Sequence, residues 1–161
     1  MRIVQGLAAG LAAGAAGTTA LNAATYLDMV VRGRAASSTP EKTVKKLAAH
    51  AHLTIPGDQE SRGNRVSGLG PLTGIATGAG VGGLLGITRA VGFTPSVPVA
   101  GLLVAGTAMG ATDTSMATLG ITDPKTWSAT DWLSDVIPHL AYGLVTAWVL
   151  AGLDRRSRPA L

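Results

Sequence analysis

The sequence predicts an all-α membrane protein: a four-helix transmembrane bundle with a short amphipathic helix in its first connection. Three observations predict it. Four long stretches are nearly free of charge: residues 3–31, 66–88, 97–121 and 132–153. Apolar residues make up 47% of the chain and charged residues only 14%, against about 25% charged in ordinary soluble domains. Aromatics are just 4%, so Ala, Gly, Leu and Val carry the apolar content. Small residues make a weak water-driven core, but they let helix backbones approach closely in a bilayer.

A helix needs about 20 mainly apolar residues to cross the hydrocarbon, and each stretch is long enough. Backbone groups in lipid must be satisfied within the segment, which makes these stretches helices. The first carries Asp28 near its end. It also matches a secretory signal peptide, with Arg2, a soft apolar run and small residues at 20–23. The run continues to Arg32 and Arg34, which fits a retained span better. Asp113 interrupts the third stretch, and the fourth contains Asp135 and His139.

The first connection predicts an amphipathic helix over about residues 40–52. Thr39 can cap it, Pro40 suits the first helical position, and Glu41 answers the positive helix end. Val44, Leu47, Ala48 and Ala51 then share one face, with Lys42, Lys45 and Lys46 mostly off it. The pattern fits a helix lying among lipid headgroups and a solvated connector equally well. Ile55, Pro56, Gly57 and Asp58 end it. The second connection, residues 89–96, is short enough to make the flanking helices a tight hairpin. Trp127 and Trp132 fall at one interface and Trp148 near the other. The first and third connections hold eight Lys and Arg and the opposite side five. The positive-inside rule thus leans towards a cytoplasmic first connection. The basic tail at Arg155, Arg156 and Arg158 argues against it, and orientation stays open.

The chain has no cysteine, which excludes disulfides, thiolate chemistry, iron–sulfur clusters and Cys-type zinc sites. The net charge of +4 sits in the connections and tail. No Lys/Arg run is interleaved with aromatics, so the partner is the lipid bilayer, with its anionic surface, rather than nucleic acid. No cofactor is expected. His50 and His52 would point to different faces, and His139 is the one histidine inside a span, so haem has no paired ligands in one chain. A divalent ion at Asp113, Asp135 and His139 is geometrically thinkable, but the sequence singles out no metal site.

Glycine recurs every fourth residue in three stretches: Gly6, Gly10 and Gly14; Gly70, Gly74, Gly78, Gly82 and Gly86; Gly106 and Gly110. Residues i and i+4 stack on one helix face, so each row is a flat groove for another backbone, the small-xxx-small pattern of membrane helix pairs. The rows serve packing within one subunit or a face for a second copy or a membrane partner. The spacing has no Gly-Lys-Ser/Thr element and follows no strand, which rules out a phosphate loop.

Strongly polar residues inside spans are costly, and they are usually functional or paired. Here they are Asn22, Asp28, Asp113, Asp135 and His139, with Tyr142 nearby. In a four-span topology Asp113 and His139 both lie roughly 11–12 Å inside the same face, at 1.5 Å per residue. Asn22 falls at a similar depth, and Asp28 and Asp135 are shallower on that side. Asp135 and His139 are i and i+4 on one helix face. Pro138 should bend the helix there. Plainer readings exist for most of them. Asp135 can answer a helix dipole, Asp28 can pair with Arg32, Asn22 can bond a neighbouring helix, and His139 can be a satisfied core histidine.

The segment from Ser134 through Asp135, Pro138 and His139 to Gly143 resembles small multi-pass membrane proteins of actinobacteria whose function is not known. So do Thr18 to Asn22 and Arg32-Gly33-Arg34 through Thr39-Pro40-Glu41. More distantly, an acid one turn before His139-Leu140, in a helix ending in paired arginines, is similar to the YagU-type inner-membrane family. That family is associated with acid tolerance. The resemblance implies a bacterial cytoplasmic membrane protein and supplies no reaction.

The leading expectation is a non-enzymatic structural or accessory component whose glycine rows dock to itself or to a membrane partner. The alternative is a proton or small-solute transporter or channel lined by Asp113 and His139. An intramembrane hydrolase using Ser115, Asp113 and His139 is a third reading, and it lacks a nucleophile elbow or an oxyanion donor set.

Overall fold

The computed structural model describes residues 2–156, and among them the chain is wholly helical. Arg158 lies outside the described residues, as do the side chains of Arg155 and Arg156. Helix α1 runs Ile3–Arg32, α2 Thr39–His50, α3 Gln59–Ala90, α4 Val97–Thr118 and α5 Ala129–Arg156. A single 3-10 turn, Pro124–Thr126, interrupts the connection before α5.

Local chemistry sets the ends. Gly33 takes a left-handed conformation (φ 61°) and stops α1, as glycine does at a helix C-terminus. Asp58 caps α3, its Oδ1 accepting the Ser61 N–H at 2.8 Å. That bond holds the exposed Asp58 carboxyl below its usual range. The cap lets α3 start seven residues before the expected Val66, adding two polar turns outside the apolar stretch. Ser128 does the same work for α5: its hydroxyl accepts the Asp131 N–H at 3.2 Å, and the Asp131 carboxylate accepts the Ser128 N–H at 2.9 Å. Asp135 therefore sits in the second turn of α5, not in the first where an acid best answers the helix dipole. The amphipathic helix appears as α2, with Pro40 in its first turn and Val44 buried. It ends at His50, short of the expected residue 52, and His52 adopts a left-handed backbone (φ 54°). Pro71 and Pro138 lie inside α3 and α5, which continue through them.

Three helices, α1, α3 and α5, are long and apolar enough to cross a membrane. Helix α4, the third expected span, is not among them. It stops at Thr118 instead of continuing to residue 121, and Thr112, Asp113, Thr114 and Ser115 make its last turns polar. Large apolar side chains are nevertheless exposed along all four long helices, among them Val4, Val30, Leu84, Leu102 and Trp148. A soluble monomer rarely leaves so much apolar surface in water.

Packing is built on absent side chains. Helices α1 and α3 run antiparallel with Gly6, Gly10 and Gly14 against Gly86, Gly82 and Gly78. A Cβ at Gly82 would lie 2.5 Å from the Gly10 carbonyl oxygen and the Gly14 Cα, so no larger residue fits without parting the helices. Two of the expected row positions do other things. Gly70 seats Pro40 of α2, and Gly74 faces open space. Gly106 and Gly110 also face open space and meet nothing among the described residues, so of the two roles expected for the rows, packing within the subunit does not fall to them. The α4–α5 contact uses Gly101 and Gly143 instead: a Cβ at Gly101 would meet Leu144, and one at Gly143 would meet Ala105.

Candidate functional site

The α4–α5 register places the polar cluster. Gly143 lies against Ala105, and the helices run in opposite directions. Eight residues onward along α4 is Asp113, and eight residues back along α5 is Asp135. Both acids therefore reach one level of the bundle, at the end shared by the α1 C-terminus and the α5 N-terminus. Asp135 and His139 form a pair, Oδ1 to Nδ1 at 3.3 Å, with side chains 18% and 12% exposed. The same His139 nitrogen lies 2.9 Å from the Asp135 carbonyl oxygen. Asp113 is 9% exposed and, by the α4–α5 register, stands at the level of this pair.

The cluster is incompletely satisfied. Asp113 Oδ1 and Asp135 Oδ2 are buried with no hydrogen-bond partner among the described residues. A buried carboxylate without partners is strongly unfavourable as an ion. Two acids and one imidazole at close quarters can hold protons in several arrangements, and this is the chemistry the site offers. No group of three His, Cys, Asp or Glu close enough to hold a metal ion occurs among the described residues.

The other expected members are placed differently. Asn22 is half-buried on α1, between the Gly17 contact with Tyr142 and the Arg32 contact with Ser134, so it is level with His139. Its side chain makes no hydrogen bond among the described residues. Tyr142 is buried one turn beyond His139, towards the other end of the bundle, and donates its hydroxyl to the Gly78 carbonyl at 2.6 Å. Its ring lodges between Gly17 and Gly78, which makes it a three-helix packing residue and not part of the polar cluster. Asp28 pairs with Arg32 at 3.3 Å and with Arg34, and Arg32 also donates to the Ser134 hydroxyl at 2.6 Å. Ser115 is exposed, and its hydroxyl bonds the Ala111 carbonyl at 2.7 Å. Asp113 lies shallower than the spacing implied, because α4 ends five residues after it. His139 lies deeper, because α5 gains a turn at its start.

Sequence reasoning missed two features of consequence. Arg89 and Asp154, taken as connection and tail, form an ion pair at 3.2 Å with both side chains 11% exposed. It ties the ends of α3 and α5 together at the opposite end from the cluster. The signal was there: each is the first charged residue after a long apolar run. Gly17, Gly101 and Gly143 escaped because they lie outside the four-residue rows. Two hollows flank α2. One, about 540 Å³, is lined by apolar residues of α2, α3 and the segment between them, with Arg65 at its edge. The other, about 400 Å³, is lined by Lys42, Lys45, Lys46, Gly120 and Ile121. Compared with known proteins, the chain matches no family model, no curated protein and no solved structure.

Proposed function

We propose that this chain is a multi-pass protein of a cell membrane, crossing it four times, and that it exchanges protons at Asp113, Asp135 and His139. Connectivity supports the fourth crossing. If α3 crosses, it delivers the chain to the end where Arg89 meets Asp154. Helix α5 starts at the other end, where Ser134 meets Arg32. Only α4 joins the two, so it traverses the bundle however polar its last turns are. The close fit to α5 shelters Asp113 from lipid.

The observation that carries the proton reading is Asp113 itself, a carboxyl buried beside an Asp–His pair with an oxygen left unpartnered. Packing does not require such a group, and a leucine would fill the place more stably. Groups of this kind inside spans are typical of proton relays. The test is proton flux into sealed proteoliposomes under an imposed pH gradient. Flux is expected to fall at least about tenfold, a barrier change of about 1.4 kcal/mol, in Asp113→Asn. Equal flux in the variant, or none in the parent protein, removes the reading.

A second reading is favoured by the open face of α4. With Gly6, Gly10, Gly14, Gly78, Gly82 and Gly86 occupied inside the chain, docking to a second copy or a membrane partner passes to Gly106 and Gly110. They lie bare between the exposed Leu102 and Leu103 and the end of the helix.

A further inference from the structure

The lysine-lined hollow beside α2 belongs neither to the polar cluster nor to the helix packing. Lys42, Lys45 and Lys46 fall within about one turn, all three are exposed, and none is in an ion pair among the described residues. Opposite them is Gly120, held in a left-handed turn (φ 63°) just past the end of α4, and then Ile121. The floor is thus Gly120 and one apolar side chain, and the wall is three lysine side chains. Glu41, the acid of α2, forms an ion pair with none of them among the described residues, so three like charges repel one another and the arrangement is relieved by an anion.

Position decides which anion. The other face of α2 is pinned to α3, with Val44 buried and Pro40 seated on Gly70. Those α3 residues open its apolar stretch, so α2 stands where hydrocarbon gives way to headgroups. Trp127 and Trp132, edge to face at 5.0 Å, lie in the same end of the molecule, as interfacial tryptophans do. A phosphate carried by a lipid is held at this depth, beside Ile121 and the exposed Leu47. We infer that the hollow between α2 and the α4–α5 connection binds the phosphate of an anionic glycerophospholipid, with Lys42, Lys45 and Lys46 as its donors. The inference rests on the membrane reading and is independent of proton exchange at Asp113.

The test uses the full chain in phosphatidylcholine vesicles carrying trace spin-labelled lipid, with the motionally restricted fraction read by electron spin resonance. Spin-labelled phosphatidylglycerol is expected to associate preferentially over spin-labelled phosphatidylcholine. A lysine at an anionic headgroup changes association by about fivefold, so Lys45→Gln should lose about that factor. The variant K42Q/K45Q/K46Q should show no preference. Lys125→Gln, which removes an exposed cation at the same end but outside the hollow, should keep it. Preference surviving in the triple variant, or falling as far in Lys125→Gln as in Lys45→Gln, overturns the site in favour of diffuse surface charge. Displacement of the labelled lipid by inorganic phosphate alone overturns it in favour of a free-anion site. A chain that washes off the vesicles in carbonate overturns the membrane reading as well, whereas an inserted chain with no lipid preference overturns only this site.

Discussion

At Gly10 a hydrogen atom decides whether two helices can meet. The Cα of Gly83 would lie 2.9 Å from any Cβ placed there, and the neighbouring Gly82 carbonyl would lie closer still. Both are backbone and cannot rotate away. Gly10→Ala should therefore destabilise the bundle by about 1–3 kcal/mol, the usual consequence of overfilling a tight contact. Gly106→Ala should be neutral or slightly stabilising, because its Cβ meets nothing and alanine favours the helix by about 1 kcal/mol. Denaturant unfolding of the two variants in one detergent makes the comparison. Equal effects would mean that α1 and α3 are not in glycine contact. The four-residue spacing told which residues could permit close approach. It could not tell which did, because a row facing lipid and a row facing a helix read alike. Gly106 and Gly110 meet open space, whereas Gly78 meets a helix. Tyr142 shows the same limit, since one polar atom on an apolar ring suits either a cluster or a packing seam.

Among the elements, the helix ends carry more information than the helix middles. The apolar stretches of α1 and α5 were legible to within a turn from charge alone. The start of α3 was not, because Asp58 and Ser61 extend it through residues that look like loop. Paired charges at the ends were illegible for a different reason: Arg89 and Asp154 are 65 positions apart in sequence. Their bond is an element-to-element tie, and its energetics are those of a buried pair. Arg89→Met should cost about 1.5–3 kcal/mol, the usual worth of a hydrogen bond to a charged group, because it removes the guanidinium that bonds Asp154 at 3.2 Å. Adding Asp154→Leu should recover much of that loss, since two apolar residues avoid desolvating any charge. Thermal unfolding of the single and double variants in detergent reads both numbers. A double variant no more stable than Arg89→Met would show that the pair holds the helix ends by more than charge compensation.

The whole molecule is asymmetric along its long direction. At one end α1 and α3 close on glycine and Arg89 locks α3 to α5. At the other end the Asp–His cluster, the Asp28 pairs and the lysine face of α2 come together. The asymmetry was visible in the sequence as ionisable residues gathered towards the same side. The sequence also reads residues 97–121 as a span, but the polar last turns of α4 keep it below the apolar measure that α1, α3 and α5 meet. Connectivity makes α4 testable. The chain has no cysteine, so a single introduced thiol reports one position. Lys45, Lys125, Arg2 and Thr94 are all exposed and lie outside the close helix contacts. If α4 crosses, Lys45→Cys and Lys125→Cys share one side, and Arg2→Cys and Thr94→Cys share the other. A membrane-impermeant maleimide added to sealed cells should then label one pair and spare the other, with all four labelled after permeabilisation. Lys125 sorting with Thr94 would mean that α4 turns back without crossing. In that case α5 would have to enter from the side where α3 exits, and the Arg32–Ser134 and Arg89–Asp154 bonds could not both form. The labelling pattern therefore tests the crossing number and the two end contacts together.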